Sequence, residues 1–385
     1  MMLEKNPVRG DVWQRQKTYA KDLNIFYLVI YAPRKRANYR RFIGDGKVKV
    51  IPTDSINKAT FLWDALVRGW KVCKENEIDV LTAEDPFITG LVGLILKKRF
   101  KLPLNVQIHA DIFDNPYWIG QRPINRIFNR LAKFIVRRAD SIRIGTYYEK
   151  QKVSNMLGIP GEKIHVIPVN ADVQKFSRAF DKFNKAELLR SLGLERFKNL
   201  VVSTGRLKPQ KDFPTLIHAM AEVIRSCPYT ALCILGEGPE RERILTEVKR
   251  LNLQDNVFLP GAVSHEDVAK YLAACDVYVM PSIFEGTCIA LAEACISGKP
   301  VVSTSFAGAY DLIIDGKTGY RVPIKDAYAI ADRVVYLLKH PDEARSMGIA
   351  AREHVAKMFS EEHNVRGVVR MWKKTACTGN GAPVS

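Results

Sequence analysis

The chain lacks paired-cysteine motifs and long apolar runs. Its 385 residues contain seven cysteines, and no two of them form a CxxC pair or follow a regular spacing. An odd, scattered set of this kind predicts reduced thiols in a cytosol. No apolar run approaches the ~18 residues that are needed to span a bilayer, and the N-terminus shows no apolar segment of a secretory signal. We therefore expect a protein that is made and kept in the cytoplasm.

The chain also lacks low-complexity tracts, and its composition is globular, with 47% hydrophobic and 26% charged residues. Its length suits two domains of ordinary size. Short β-type runs alternate with helix-length amphipathic runs, which is typical of βαβ units and parallel sheets. We expect an α/β protein with two doubly wound, Rossmann-like domains that face a cleft. The predicted domains span 1–170 and 171–360, and 361–385 supplies a closing helix and a disordered tail from 375 onward.

One element of this fold is missing from the pattern. A doubly wound domain opens with a central strand and a glycine-rich turn, whereas here a helix over 11–23 follows only ten residues. Those ten residues cannot supply a normal central strand. We therefore expect the first strand of the N-terminal domain to be absent, which would leave neighbouring ladder groups unpaired. A catalytically impaired relative of an enzyme is one interpretation of that loss.

Negative charge is scarce in the first half of the chain. Residues 1–170 hold 30 Lys and Arg against 16 Asp and Glu, and residues 171–385 hold 29 against 25, within a total net charge of +18. A basic half predicts an anionic partner surface, which is nucleic acid, an acidic substrate or phospholipid headgroups. A solvated basic face without a partner is the open alternative.

The most informative segment is 281–303, which follows the apolar strand 276–280. A strand, a loop and a small-residue helix in this order point helix amides at a ligand above the sheet, and this creates an anion site. Glu285 lies in the loop, and Glu293 lies about 1.5 turns into the helix. Small and apolar neighbours predict burial, and buried carboxylates need partners. The pair suits a ligand with a phosphate and several hydroxyls, such as a sugar nucleotide.

Four residues between the two glutamates are predicted to hold this ligand. Gly286 lets the loop backbone approach it, and Thr287 is the predicted N-cap that orients the amides after it. Those amides, at Cys288 and Ile289, would bind a phosphate. The glutamate in the helix would reach ribose hydroxyls, and the glutamate in the loop would reach hydroxyls of a transferred sugar.

Two further loops follow strands of the second half. Arg206 and Lys211 flank a turn before a helix, where two cations would neutralise a diphosphate leaving group. A basic surface loop is the alternative. Gly236 and Gly238 follow the next strand and permit close approach of the backbone to a ligand, and a plain tight turn explains this pair equally well.

Three segments of the second half resemble the donor-binding domain of retaining glycosyltransferases with the GT-B fold, in the family-four group. They are 205–213, 236–242 and 258–320. The family's E-x7-E motif matches Glu285 and Glu293, and its phosphate-binding Arg and Lys match Arg206 and Lys211. By the same resemblance His109, which ends a strand of the first half, occupies the family's active-site histidine position, near the transferred sugar.

The resemblance implies a retaining hexosyltransferase without cofactor or metal, because the family needs no metal and the chain shows no DxD triplet. Its substrate would be a UDP- or GDP-sugar. The acceptor would be a glycan or a lipid-linked molecule, in cell-surface polysaccharide or lipopolysaccharide biosynthesis. A nucleotide-sugar 2-epimerase and a sugar phosphorylase share the fold and stay open. A basic nucleic-acid-binding protein stays open on charge alone, although no basic–aromatic interleaving supports it.

The segment 124–140 is predicted to be a basic amphipathic helix. Its apolar residues fall on one stripe at helical spacing: Ile124, Ile127, Phe128, Leu131, Phe134 and Ile135. We expect this stripe to pack on the sheet and the cations to face outward. The family often uses basic and apolar surface in this domain to sit on the inner membrane face. Peripheral contact with an anionic membrane is therefore expected, at ~1 kcal/mol for each cation near the leaflet.

Overall fold

The chain forms two compact α/β units. The computed structural model describes residues 11–34, 44–169, 173, 176–177, 185–360 and 362–379. The first unit takes its residues from 1–145, 149–167 and 361–385, and the second takes them from 146–148 and 168–360. Parallel strands and amphipathic helices alternate in both units, which confirms the predicted fold class.

The first unit contains a three-stranded and a four-stranded sheet, in the orders β1-β3-β2 and β4-β5-β6-β7. The strands are β1 (Phe26–Ile30), β2 (Gly44–Asp45), β3 (Val48–Pro52), β4 (Leu81–Ala83), β5 (Leu104–Gln107), β6 (Ser141–Ile144) and β7 (Ile164–Val166). The helices of this part of the chain are α1 (Asp11–Ala20), α2 (Phe61–Glu75), α3 (Ile88–Phe100), α4 (Pro116–Gly120), α5 (Ile124–Val136) and α6 (Tyr147–Leu157). All pairs are parallel except β2 with β3.

The two sheets of the first unit are not joined by any strand that the structure describes. Strand β1 pairs only with β3, and β4 pairs only with β5. The sequence predicts that a central strand before α1 is absent. The ten residues that precede α1 lie outside the described residues, so this expectation stays a prediction.

The second unit contains one six-stranded parallel sheet in the order β10-β9-β8-β11-β12-β13. Its strands are β8 (Asn199–Thr204), β9 (Thr230–Leu235), β10 (Val257–Gly261), β11 (Val277–Met280), β12 (Val301–Thr304) and β13 (Tyr320–Val322). Its helices are α7 (Lys185–Ser191), α8 (Phe213–Ser226), α9 (Arg241–Arg250), α10 (His265–Ala274), α11 (Ile289–Ile296), α12 (Ala307–Leu312), α13 (Ala327–Lys339) and α14 (Pro341–Met358).

The strand order of this sheet reverses between β8 and β11. The chain first builds outward from β8 to β10 and then returns to place β11 on the other side of β8. In open parallel sheets, ligands bind outside the carboxyl ends of the two strands at such a reversal. The topology therefore marks the loops that follow β8 and β11 as the place for a site.

The last helix, α15 (Gly367–Gly379), belongs to the first unit. The prediction of a disordered tail from residue 375 is wrong as far as Gly379. Thr375 is buried, and its hydroxyl lies 2.6 Å from Ser141 Oγ on β6. Trp372 Nε1 donates to Asn105 Oδ1 on β5 at 3.3 Å. The helix therefore satisfies polar side chains that two core strands point at it.

The apolar stripe of α5 packs against the core of the first unit only in part. Ile124, Ile127 and Phe134 are 43%, 59% and 45% exposed. The buried face is formed instead by Asn125, Asn129, Ala132, Ile135 and Val136. Three of the six stripe residues therefore lie on the surface beside the exposed cations, whereas Ile135 is buried and Leu131 packs against the core.

Candidate active site

The loops that follow β8 and β11 begin side by side, because the two strands pair in parallel. The first loop runs through Arg206 into a 3-10 turn, Pro209–Lys211. The second runs through Glu285 to the start of α11. Main-chain contact fixes the loops to each other, since Ile283 N donates to Gln210 O at 2.8 Å.

A buried ion pair joins the two loops. Lys211 Nζ lies 3.0 Å from Glu285 Oε1, and the two side chains are only 11% and 15% exposed. Gln210 Nε2 and Ser282 Oγ donate to the same oxygen at 3.3 Å each. Burial alone would lower the pKa of Lys211, but the charge of the Glu285 carboxylate and its hydrogen bond offset this and hold the pKa above its ordinary value. The ammonium is therefore a fixed positive charge at neutral pH.

Helix α11 begins one residue later than the sequence predicts. Its N-cap is Cys288, with a left-handed φ of 48° and no side-chain cap hydrogen bond, so the prediction of Thr287 as the cap is wrong. Thr287 is buried beside it. Burial raises the pKa of the Cys288 thiol to about 12, which keeps the thiol neutral. The amides of Leu291 and Ala292 donate to Cys288 O, so the amides that an anionic ligand could satisfy at this helix end are those of Ile289 and Ala290.

The remaining predicted site residues of the second unit differ in exposure. Glu293 lies in the second turn of α11 and is only 7% exposed, so the expected burial of this carboxylate is present. Gly286 is buried in the loop before the helix. Arg206 is exposed and forms no ion pair with a residue in the described ranges, and so the structure does not bring it into the Lys211–Glu285 cluster.

The two glycines after β9 are explained by contact with the protein backbone. A Cβ added at Gly236 would lie 2.0 Å from Gly205 O, and one added at Gly238 would lie 2.3 Å from Leu207 O. Leu207 N also donates to Glu237 O at 3.0 Å. The loops after β8 and β9 are therefore packed main chain against main chain, which holds the 3-10 turn in place.

Sequence reasoning missed Gln210 and Ser282, the two donors to Glu285. It also missed Thr304 at the end of β12, whose hydroxyl donates to Met280 O at 3.2 Å and so fastens the end of β11. Polar residues at the carboxyl ends of adjacent parallel strands are the signal that would have found them, because those ends meet at one edge of the sheet.

His109 lies in the first unit, just after β5, and its Nε2 lies 3.3 Å from Glu84 Oε2. Gln107 Nε2 donates to Glu84 Oε1 at 2.8 Å, and the buried Arg143 donates to Gln107 Oε1 at 2.8 Å. This polar chain runs across the carboxyl ends of β4, β5 and β6. The sequence signal for it is Arg143, a charged residue within the buried strand β6.

Three observations bear on other kinds of site. No group of three or more His, Cys, Asp and Glu within the described ranges could hold a metal ion. All seven cysteines are free thiols. None of the described helices combines the length and the apolar character needed to cross a membrane.

Two family models match most of the chain. Glycosyltransferase Family 4 matches residues 24–175, and Glycosyl transferases group 1 matches residues 184–354. Together with the fold and the paired loops at the strand-order reversal, these matches show that the chain belongs to the group 1 glycosyltransferases of the family-four type.

Individual relatives and solved structures agree with the family. The chain is 27% identical to D-inositol 3-phosphate glycosyltransferase of Segniliparus rotundus, over 77% of this chain and 67% of the relative. It is 32% identical to the GDP-mannose-dependent alpha-(1-6)-phosphatidylinositol monomannoside mannosyltransferase of Mycolicibacterium smegmatis, over 58% and 60%. These matches span two thirds or less of the relatives' length. HepE of Anabaena, solved with UDP-glucose, shares the fold with a TM-score of 0.68 at 20% identity over 86% of both chains.

Proposed function

We propose that the protein is a retaining, metal-independent hexosyltransferase. It takes a hexose from a UDP- or GDP-sugar and passes it to a glycan or lipid-linked acceptor, in cell-surface polysaccharide or lipopolysaccharide synthesis. The main support is the Lys211–Glu285 ion pair, in which Nζ lies 3.0 Å from Oε1. The pair lies at the point where the strand order of the sheet reverses. A fixed cation, free helix amides and buried carboxylates suit the diphosphate and hydroxyls of a nucleotide sugar. The GDP-mannose and UDP-glucose of the two relatives support a donor of this class.

In the proposed reaction the acceptor hydroxyl attacks the anomeric carbon on the face that the diphosphate leaves. The bond from that carbon to the leaving oxygen breaks as the new C–O bond forms, and a leaving-group oxygen takes the acceptor proton. Lys211, Arg206 and the amides of Cys288 and Ile289 stabilise the departing charge, which is expected to be the largest catalytic contribution. Retention of configuration follows because attack and departure share one face.

The carboxylates and the histidine position the donor in this proposal. Glu293 binds ribose hydroxyls, and Glu285 accepts hydrogen bonds from hydroxyls of the transferred sugar. His109 is assigned to the transferred sugar on the family resemblance, with Glu84 fixing the orientation of its ring. None of these roles requires a covalent intermediate.

A thermal-shift panel of nucleotide diphosphates and nucleotide sugars tests the donor class. Stabilisation by one base, near 2.7 kcal/mol at a ligand concentration of about 100 Kd, would support the proposal, and no shift with any donor would refute it.

Lys211→Ala and Glu293→Ala should each abolish transfer, whereas Lys208→Ala, which removes an exposed cation from the same loop, should not. NMR of the product should show a retained anomeric configuration. Isomerisation of the donor without any acceptor would indicate a 2-epimerase instead.

We also propose that the first unit contacts an anionic membrane surface, where a lipid-linked acceptor would lie. The support is α5, which exposes Ile127 and Phe134 among the exposed cations Arg126 and Arg130. Apolar side chains beside cations suit the interface of an anionic leaflet. Flotation with vesicles that contain phosphatidylglycerol should recover the protein, and Ile127→Ser with Phe134→Ser should weaken this recovery.

A further inference from the structure

A group of basic side chains lies at the opposite edge of the first unit's sheet from His109. Helices α3 and α5 run antiparallel to the strands, so their C-terminal ends lie where β5 and β6 begin. A cavity of about 420 Å³ opens there, and its lining includes Lys97, Lys98, Lys101 and Arg138.

The charges of this cavity are not balanced within the protein. Its one carboxylate, Asp140, already pairs with Lys97 and accepts from Leu104 N at 2.7 Å. Lys98 and Lys101 are exposed, and no carboxylate in the described ranges pairs with either. Lys98, Lys101 and Arg138 therefore line one cavity, and no carboxylate in the described ranges pairs with any of them. The Arg138 guanidinium donates to Phe134 O at 3.0 Å and is otherwise exposed.

Aromatic rings pack against Arg99, the residue after Lys98 in α3, and against Arg138. Trp70 of α2 and Phe100 of α3 pack edge to face at 5.1 Å, and the Arg99 guanidinium lies 5.2 Å from the Trp70 ring. On the other side, the Arg138 guanidinium lies 3.7 Å from the ring of Phe134. Trp70 and Phe134 are 37% and 45% exposed. Exposed aromatic rings beside basic side chains are typical of the membrane–water interface.

We propose that this cavity binds the phosphate of an anionic membrane lipid headgroup. The proposal rests on the membrane contact proposed above and gives it a defined site. Lys98 and Lys101 supply point charges, and Arg138 supplies a planar donor that suits two phosphate oxygens. Trp70 and Phe134 then lie at the level of the headgroups. The site is separate from the donor site, which lies in the second unit.

The test uses the full chain and a pair of double variants. Lys98→Ala with Lys101→Asn removes two cavity charges, and Asn suits the left-handed backbone at Lys101, where φ is 57°. Lys249→Ala with Lys339→Ala removes the same charge from exposed positions of the second unit. Binding is measured by cosedimentation with vesicles of phosphatidylcholine, alone or mixed with phosphatidylglycerol. Soluble dihexanoyl phosphatidylglycerol and inorganic phosphate are titrated by calorimetry.

The cavity variant should bind the mixed vesicles about 30-fold more weakly, since each cation contributes ~1 kcal/mol, and the control should change by less than about 3-fold. Equal losses in both variants, or no binding of the wild type, would overturn the proposal. Binding of inorganic phosphate but not of the lipid would assign the cavity to free phosphate, and a matching loss for a DNA duplex would assign it to nucleic acid. The donor-induced thermal shift should be unchanged in both variants. Its absence in the wild type would count against the proposed transferase and not against the cavity.

Discussion

The Lys211–Glu285 pair should behave as one energetic unit. At 3.0 Å and an effective dielectric constant of about 20, the attraction is about 5.5 kcal/mol, and partial desolvation of both groups reduces it. Lys211→Met should cost about 3 kcal/mol, at the low end for a broken buried pair, because Gln210 and Ser282 still donate to the carboxylate. Glu285→Gln should cost about 2 kcal/mol and the double variant also about 2 kcal/mol, which gives a coupling near 3 kcal/mol.

The positions of the tryptophans allow the two units to be followed separately. All five lie in the first unit, at Trp13, Trp63, Trp70, Trp118 and Trp372. Urea unfolding followed by far-UV circular dichroism should therefore show a transition of the second unit that moves by about 1 M in Lys211→Met. Tryptophan fluorescence should not follow that movement. If the two single variants are additive within 0.5 kcal/mol, the pair is not coupled and the reasoning fails.

The same variants separate the two roles in donor binding. Lys211→Met should weaken the binding of UDP or GDP by about 10- to 100-fold, the value of a charge-assisted contact. Glu285→Gln should not weaken it, because it removes a negative charge that competes with the diphosphate for Lys211, and it should still lower the transfer rate. Calorimetry with the nucleotide diphosphates measures both. An equal loss in the two variants would show that the assigned roles are wrong.

Three other outcomes are expected. Gly236→Ala should destabilise the second unit by more than about 2 kcal/mol, because its Cβ would lie 2.0 Å from a backbone oxygen. Gly316 also has a positive φ, but its Cβ would meet nothing within 4 Å, so Gly316→Ala should cost only about 1 kcal/mol when both variants are compared by thermal unfolding. Iodoacetamide should label the exposed Cys377 before Cys288, because burial raises the pKa of the Cys288 thiol to about 12. Peptide mass spectrometry should show that labelling of Cys288 rises as the pH is raised toward 12. Thr375→Val should lower the free energy of unfolding of the first unit by about 1 kcal/mol through its lost hydrogen bond to β6, measured by tryptophan fluorescence.

The sequence predicts the second unit well because its strands are short apolar runs bounded by turn residues. The run 276–280, for example, becomes β11 at Val277–Met280. The loops that carry Lys211 and Glu285 follow two such strands, so their place at one sheet edge follows from the α/β pattern. The sequence pattern does not determine the order of the strands in the sheet, and this order is what makes the two loops neighbours.

The face of α5 could not be predicted from hydrophobicity. Its core-facing positions include Asn125 and Asn129, which the periodicity assigns to the solvent. Asn125 Nδ2 donates to Trp118 O at 2.7 Å, and Asn129 Nδ2 donates to Asp114 Oδ1 at 2.8 Å. Burial of these amides depends on partners from α4 and from the segment just before it, and the periodicity of α5 alone does not show such partners. The apolar residues displaced from the core are the ones that face outward among the cations.

The spacing of the two glutamates identifies Glu285 but does not show how its carboxylate is used. In the structure Oε1 receives the contacts from Lys211, Gln210 and Ser282. Oε2 accepts no hydrogen bond from any residue in the described ranges. This oxygen is not one of the buried polar atoms that lack a partner, so it stays open to solvent and can accept a hydrogen bond from a ligand that displaces water. One oxygen therefore holds the loop and its cation in place, and the other is available for the sugar hydroxyl that the proposed function assigns to Glu285.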